Sequence, residues 1–246
     1  ATNQGLILHD PAITPSGFEI IGPQGRLSTS IAIAGNRIWM GGTDGKVCLY
    51  DPETRKWIDE ATWSPGGPVR SLCLWGESLW AATGNGLFSR KVDGGESVRV
   101  DGKGEPQDIR GAWITAEGLW FASPDGLFVL RSPASAPDPI SGSREWGPIH
   151  GVVAADPAVL VGTETGLMVC DRAGARIAVL DRDSGLYTPA IGAIAVDDRY
   201  LWLGTLGGGL SRVVFVVLGV DQGGGRGRHR HSGRAGRRAG GVGRCV

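Results

Sequence analysis

One period runs through most of the chain and limits the folds open to it. An apolar run, a turn, an aromatic residue or leucine, a small residue and a threonine or serine recur in that order. The hydroxyl column consists of Thr43, Thr83, Ser123, Thr163 and Thr205, spaced 40, 40, 40 and 42 residues apart. Thr2 adds a sixth copy, 41 residues before Thr43. Self-similarity at this spacing indicates a repeat architecture.

The local pattern separates the helical repeats from the β-sheet repeats that share this period. The segments are four to seven residues long, rich in Val, Ile, Leu and Trp, and bounded by Gly, Asn and Asp. None keeps helical spacing over three turns without a Gly or Pro. Glycine makes up 42 of the 246 residues, which suits many tight turns. We therefore predict an all-β fold, a β-propeller with four-stranded blades of about 41 residues each.

Five blades are represented in the predicted propeller, which spans residues 1–217. Four are complete in the pattern, at 31–66, 70–105, 110–145 and 150–185. In the first of them we predict strands at 31–34, 37–42, 46–51 and 56–59.

The two ends of the repeat region allow two arrangements. The chain opens with a third and a fourth strand, at 5–10 and 18–21, and its repeats end with a first and a second strand, at 193–196 and 200–205. Joined into one composite blade, these halves would close a five-bladed ring without exposed sheet edges. Alternatively, residues 209–217 supply a third strand to the last blade, and the chain is an incomplete seven-bladed ring.

The segment LWLGTLGGGLSR, residues 201–212, resembles the propeller repeat of sensor regions in bacterial two-component regulators. Looser copies lie at 38–49, 79–90, 119–130 and 160–169, so the resemblance covers about residues 1–212. It implies four-stranded blades in the extracytoplasmic sensing regions of histidine kinases. It therefore favours a sensing role and a periplasmic or extracytoplasmic location. The chain departs from that family in carrying no kinase, receiver or membrane-spanning segment of its own.

The three glycines of this segment, 207–209, invite comparison with a phosphate-binding loop. They lack the following Lys-Ser/Thr pair that engages phosphate. Their counterparts, such as Asn85-Gly86 and Asp125-Gly126, are typical hairpin residues between second and third strands. We therefore predict a turn. We also predict that the hydroxyl column bonds neighbouring backbone and that the aromatic column packs between blades.

Candidate binding residues lie ten positions before the aromatic column, at the start of each first strand. Arg70, Arg110 and His150 occupy that position in successive repeats, and we expect them side by side at one mouth of the central channel. The second-to-third turns are expected on the same face, with Asp44, Asn85, Asp125 and Glu164. These residues would frame a site for a small anion, a glycan or a protein segment. The alternative is that the two arginines pair with nearby carboxylates as ordinary rim charges.

No catalytic, cofactor or metal site is predicted. The chain has no GxSxG, HExxH or P-loop motif, its four histidines are scattered, and Cys48, Cys73, Cys170 and Cys245 have no paired spacing and suit buried apolar sites. The sequence ITPSG at 13–17 resembles the streptogramin-lyase-like propellers, which are the alternative enzyme class. That resemblance implies a His/Glu metal-dependent site, but only His150 lies near the predicted mouth.

A Gly/Arg-rich tail follows at 218–246 and is predicted to be disordered. We interpret it as an out-of-frame translation of a GC-rich gene, with native disorder or an RNA-binding arm as alternatives. The tail from 219 onward holds seven arginines and one acid, so residues 1–218 carry 18 basic and 24 acidic side chains. That acidic balance argues against nucleic acid as a partner of the folded part. The longest apolar run, 213–220, is too short for membrane insertion.

Overall fold

The computed structural model describes residues 7–9, 18–20, 22, 27–100, 108–197 and 199–214. These residues form 21 β-strands and one 3-10 helix, Ser143–Trp146, which confirms the predicted all-β class. The chain divides into two compact units, Ala1–Glu145 and Trp146–Val246. The predictions for the tail at 218–246 lie outside the described residues.

The first unit contains three antiparallel sheets of four strands in chain order. The first sheet comprises β3 (Ser28–Ala34), β4 (Arg37–Gly42), β5 (Val47–Asp51) and β6 (Lys56–Trp63). The second comprises β7 (Val69–Trp75), β8 (Ser78–Thr83), β9 (Gly86–Lys91) and β10 (Val98–Arg99). The third comprises β11 (Gly111–Thr115), β12 (Gly118–Ser123), β13 (Gly126–Leu130) and β14 (Asp138–Pro139). A separate two-stranded sheet is made of β1 (Ile7–His9) and β2 (Phe18–Ile20).

The second unit contains one four-stranded and one three-stranded antiparallel sheet. The first of these comprises β15 (Ile149–Ala155), β16 (Ala158–Thr163), β17 (Leu167–Cys170) and β18 (Arg176–Leu180). The other comprises β19 (Ile191–Val196), β20 (Tyr200–Thr205) and β21 (Gly209–Val214). Five sheets of three or four strands, one per repeat, are what propeller blades require.

The third strand of the last sheet comes from within its own repeat, as the second of the two predicted arrangements has it. β21 pairs with β20 along its whole length, from Thr205 opposite Gly209 to Tyr200 opposite Val214. The third-strand position is therefore filled from within the repeat, and β1 and β2 pair with each other instead. The third strand predicted at 209–217 is thus present as β21, Gly209–Val214.

First strands of successive sheets lie next to each other inside each unit. β3 contacts β7 and β7 contacts β11 in the first unit, and β15 contacts β19 in the second. The aromatic column fills these junctions as predicted: Trp39 is buried in one cluster with Val69 and Leu72 of the next sheet. Gly41, two residues after Trp39, makes room for this approach, because a Cβ there would lie 2.5 Å from Val69 Cγ1.

The hydroxyl column closes the hairpins between second and third strands. Thr83 Oγ1 donates to Gly86 O (3.0 Å), Thr163 Oγ1 to Gly166 O (2.8 Å) and Thr205 Oγ1 to Gly209 O (3.0 Å). The predicted backbone role of these hydroxyls is thereby confirmed. The triple glycine is likewise a turn, between β20 and β21, with Gly207 and Gly209 at φ +87° and +78°, where L side chains are disfavoured.

Candidate functional site

Two of the predicted site arginines meet at one carboxylate in the first unit. Asp108 Oδ1 lies 2.5 Å from Arg70 Nη1, and Asp108 Oδ2 lies 3.6 Å from Arg110 Nε. The three side chains are 38% (Arg70), 46% (Arg110) and 40% (Asp108) exposed. We call Arg70, Asp108 and Arg110 the arginine cluster.

Backbone hydrogen bonds hold Asp108 between the two arginines. Its N–H donates to Gly84 O (3.1 Å), in the turn between β8 and β9, and the next N–H, of Ile109, donates to Thr83 O (2.9 Å). Asp108 has a φ of +62°, in the left-handed region that Asp and Asn tolerate better than most residues. The entry to the third sheet is thus anchored on the second sheet, which places the carboxylate beside Arg70.

Arg70 also has a structural partner. Its Nη1 donates to Ile109 O at 3.4 Å, across the junction between the second and third sheets. The equivalent residue of the first sheet, Thr29, donates through Oγ1 to Val69 O across the preceding junction. This position therefore serves the contact between sheets, and the predicted pairing of the arginines with a nearby carboxylate is present as well.

The charge of the cluster is not balanced. Two guanidinium groups share one carboxylate, so the three side chains of the cluster carry one net positive charge at a partly exposed site. One N–H of Arg70 donates to the backbone carbonyl of Ile109. The distance from Arg110 to Asp108, 3.6 Å, is longer than the 2.5 Å from Arg70 to Asp108. The remaining N–H donors are suited to a second carboxylate or a similar oxyanion.

The predicted turn residues of the first unit have local partners. Asp44 Oδ1 accepts from Lys46 N (3.1 Å), and Asn85 Nδ2 donates to Gly66 O. Asp125 Oδ1 lies 3.6 Å from Arg144 Nη2, at the start of the 3-10 helix. These side chains stabilise turns and neighbouring loops.

The remaining two predicted site residues lie in the second unit and contact each other. His150 Nε2 lies 3.8 Å from Glu164 Oε1, and Glu164 N donates to Pro148 O at 3.2 Å. His150 is the only histidine whose side chain is among those described. The described residues contain no group of three or more His, Cys, Asp and Glu placed to hold a metal ion.

The cysteines of the described ranges are free thiols in apolar surroundings. Cys48 and Cys170 are buried and Cys73 is partly buried. Burial raises the pKa of the Cys73 thiol and of the Cys170 thiol to about 12. Both thiols are therefore protonated at neutral pH and are poor nucleophiles. Cys245 lies outside the described residues.

Asp108 is the member of the cluster that the sequence did not reveal. It precedes Arg110 by two residues, and an acid so close to a candidate arginine was the available signal. Its position depends on the fold, because only the junction between the second and third sheets brings Arg70 to it.

In the part of the chain that the structure describes, no helix has the length and apolarity needed to cross a bilayer.

The chain matches no protein-family model and no curated protein sequence. Its fold is similar to that of the extracellular domain of the hybrid two component system protein BT4673 from B. thetaiotaomicron, with 16% identity and a TM-score of 0.68 over 86% of this chain. A second structure of that domain, described as belonging to a one component system, gives 16% identity and a TM-score of 0.69 over 86% of this chain. The chain spans 30% of the length of that domain in both structures.

A computationally designed protein, Ika8, is also similar in fold. The identity is 14% and the TM-score 0.61, over 79% of this chain and 60% of the designed one. At these identities the likeness is one of fold alone. In fold, the similarity to a two component system domain agrees with the resemblance carried by the LWLGTLGGGLSR repeats.

Proposed function

We propose that this chain is a non-enzymatic binding or sensing module whose ligand presents an acidic group to the arginine cluster. The five sheets would be successive blades of a propeller. The similarity in fold to the extracellular domain of BT4673 supports a sensing role and a location outside the cytoplasm. The ligand class is a small organic anion, an acidic glycan or an acidic segment of a protein.

The observation that carries the proposal is the shared counter-ion of the two arginines. Arg70 and Arg110 are 38% and 46% exposed and both contact Asp108, so two guanidinium groups lie beside one carboxylate. A guanidinium pair of this kind can hold a carboxylate or sulfate through several charge-assisted hydrogen bonds.

Binding of a fluorescein-labelled tetraglutamate peptide, followed by fluorescence anisotropy, tests this proposal. The double variant Arg70→Ala/Arg110→Ala should weaken binding at least about tenfold, since each charge-assisted hydrogen bond contributes about 1.5–3 kcal/mol. The variant Arg70→Lys/Arg110→Lys keeps the charge but loses the planar fork, so it should recover only part of the affinity.

Arg131 offers a matched control in the same unit. Its Nε lies 3.5 Å from Asp138 Oδ2, and its side chain is 42% exposed, as in the arginine cluster. Arg131→Ala should leave the affinity within about twofold of the unmodified chain, because a single exposed charge at a distance is largely screened. Equal affinity of the double variant and the unmodified chain would overturn the proposed site.

A further inference from the structure

Gly84 leaves open space beside the arginine cluster. It lies in the turn between β8 and β9 and is partly exposed. A Cβ on Gly84 would lie 3.6 Å from Arg70 Nη2 and 3.8 Å from Asp108 Oδ1. Among the described residues, and apart from the chain neighbours of Gly84, these are the two atoms within 4 Å. The φ of Gly84 lies outside the left-handed region, so the backbone there would accept a side chain without strain.

The sheet of β15–β18 carries a glutamate at the equivalent position. Gly84 and Glu164 each follow the threonine that donates to the glycine three residues further on. Arg70 and His150 each stand 14 residues before that position, at the start of the first strand. Glu164 Oε1 lies 3.8 Å from His150 Nε2. In this repeat, therefore, a carboxylate from the turn lies beside the residue that corresponds to Arg70.

The two repeats take this carboxylate from different places. Asp108 stands two residues before Arg110, at the entry to the third sheet, and contacts Arg70 from there. At the entry to the sheet of β19–β21, the corresponding residue is Ala190, which has no carboxylate to offer. The turn supplies the carboxylate at His150, and the following repeat supplies it at Arg70. The turn position beside Arg70 therefore stays without a side chain, next to a cluster with one unbalanced positive charge.

We infer that the ligand binds through a single carboxylate that lies over Gly84, in the position that Glu164 fills in its own repeat. The inference rests on the proposed function and names the group that the arginine cluster recognises. A carboxylate there would contact Arg70 Nη2 and balance the remaining positive charge of the cluster. A sulfate would bring two negative charges to the same place beside Asp108, so the site should prefer a carboxylate. An acidic side chain and a free organic acid share this chemistry.

The variant Gly84→Glu tests the inference because it builds the carboxylate into the chain. Its side chain should take the place of the ligand and weaken binding of the labelled tetraglutamate peptide at least about tenfold. Lys91→Gln is the matched control. It lowers the net charge equally, at the exposed far end of β9, and should leave the affinity within about twofold of the unmodified chain.

The failure of this inference can be told apart from failure of the proposed function. A folded Gly84→Glu protein that binds the peptide like the unmodified chain overturns the position over Gly84. If the double variant Arg70→Ala/Arg110→Ala loses binding in the same titration, the proposed function stands nevertheless. If the double variant also binds normally, both are overturned.

Thermal unfolding without ligand shows whether the new glutamate pairs with the arginines or only blocks the space. Gly84→Gln has a side chain of the same size without the charge. Gly84→Glu should unfold about 1–3 °C above Gly84→Gln, because its carboxylate forms a partly exposed ion pair. The difference should disappear when Arg70 and Arg110 are replaced by Ala. Equal unfolding midpoints of the two Gly84 variants at low salt would overturn the inference.

Competition against the labelled peptide identifies the acidic group and its source. Glutarate and sulfate each carry two negative charges, but glutarate divides them between two carboxylates. At equal ionic strength, glutarate should displace the peptide at a lower concentration than sulfate. Displacement as effective per carboxylate as by unlabelled tetraglutamate would support a free organic acid, and weaker displacement would support an acidic side chain. Displacement by sulfate at the lower concentration would overturn the inference.

Discussion

Replacing Asp108 by Asn should tighten the binding of an acidic ligand while leaving the fold intact. The substitution removes the carboxylate shared by Arg70 and Arg110 and keeps the shape of the side chain. Asn is the suitable replacement because the backbone φ of +62° disfavours most other residues. The net charge of the cluster rises by one, and a bound carboxylate no longer competes with Asp108 for the same N–H donors.

The expected magnitude follows from the exposure of the three side chains. Each contact of Asp108 is a partly exposed ion pair, which contributes about 0.2–1 kcal/mol. Loss of both contacts therefore changes the binding free energy by about 0.4–2 kcal/mol, or roughly twofold to 30-fold in affinity. The free energy of unfolding should fall by no more than about the same amount, so binding and stability move in opposite directions.

The assay is the anisotropy titration with labelled tetraglutamate, run at low and at physiological salt. Asp138→Asn is the control, since it removes a carboxylate that pairs with Arg131 elsewhere in the same unit and changes the net charge equally. The gain for Asp108→Asn should shrink as salt rises, while Asp138→Asn should bind like the unmodified chain. A folded Asp108→Asn protein that binds the peptide with unchanged or weaker affinity would refute the reasoning.

Three further predictions concern stability, measured by urea unfolding. Gly41→Ala should lower the free energy of unfolding by about 1–3 kcal/mol, because the new Cβ would lie 2.5 Å from Val69 Cγ1, which is buried. Gly84→Ala is the control: its Cβ would lie 3.6 Å from the nearest atom, so the free energy of unfolding should stay within about 0.5 kcal/mol of that of the unmodified chain. Thr115→Val should lower the free energy of unfolding by about 1–3 kcal/mol, because the buried indole N–H of Trp120 would lose its acceptor, Thr115 Oγ1, which lies 2.9 Å from Trp120 Nε1. Hydrogen bonds from the Trp202 indole and then from backbone N–H groups lower the pKa of Asp197 below its ordinary value of 3.8. Its contribution to stability is therefore present above about pH 4 and is lost as the pH falls further, so Trp202→Phe should make the loss below about pH 4 smaller.

The repeat columns made the sheets predictable because they depend on local chemistry. As its type and spacing indicate, Trp39 packs between the first and second sheets. Thr83 likewise bonds the backbone of the hairpin between β8 and β9. Strand β4 has the predicted bounds, while β3 begins three residues earlier and β6 ends four residues later than the pattern indicated. Strand ends are set by pairing with neighbours, which the pattern of one strand does not contain.

The site was less predictable because it is made by contacts between repeats. The spacing placed Arg70 and Arg110 at equivalent positions of successive sheets but gave no reason to choose Asp108 over Asp44 or Asp125 as their partner. Asp108 is the partner because its backbone, with a φ of +62°, is hydrogen-bonded to the turn after Thr83 and so lies beside Arg70. A tertiary hydrogen bond of this kind leaves no periodic trace in the sequence.

The division of the arginine cluster between two repeats has a practical use. In the sequence Arg70 precedes residues 101–107 and Arg110 follows them, so a chain cut within 101–107 would carry one arginine on each fragment. Neither fragment alone would hold the paired guanidinium groups. Recovery of anion binding on mixing would then serve as a complementation signal for correct docking of one repeat on the next.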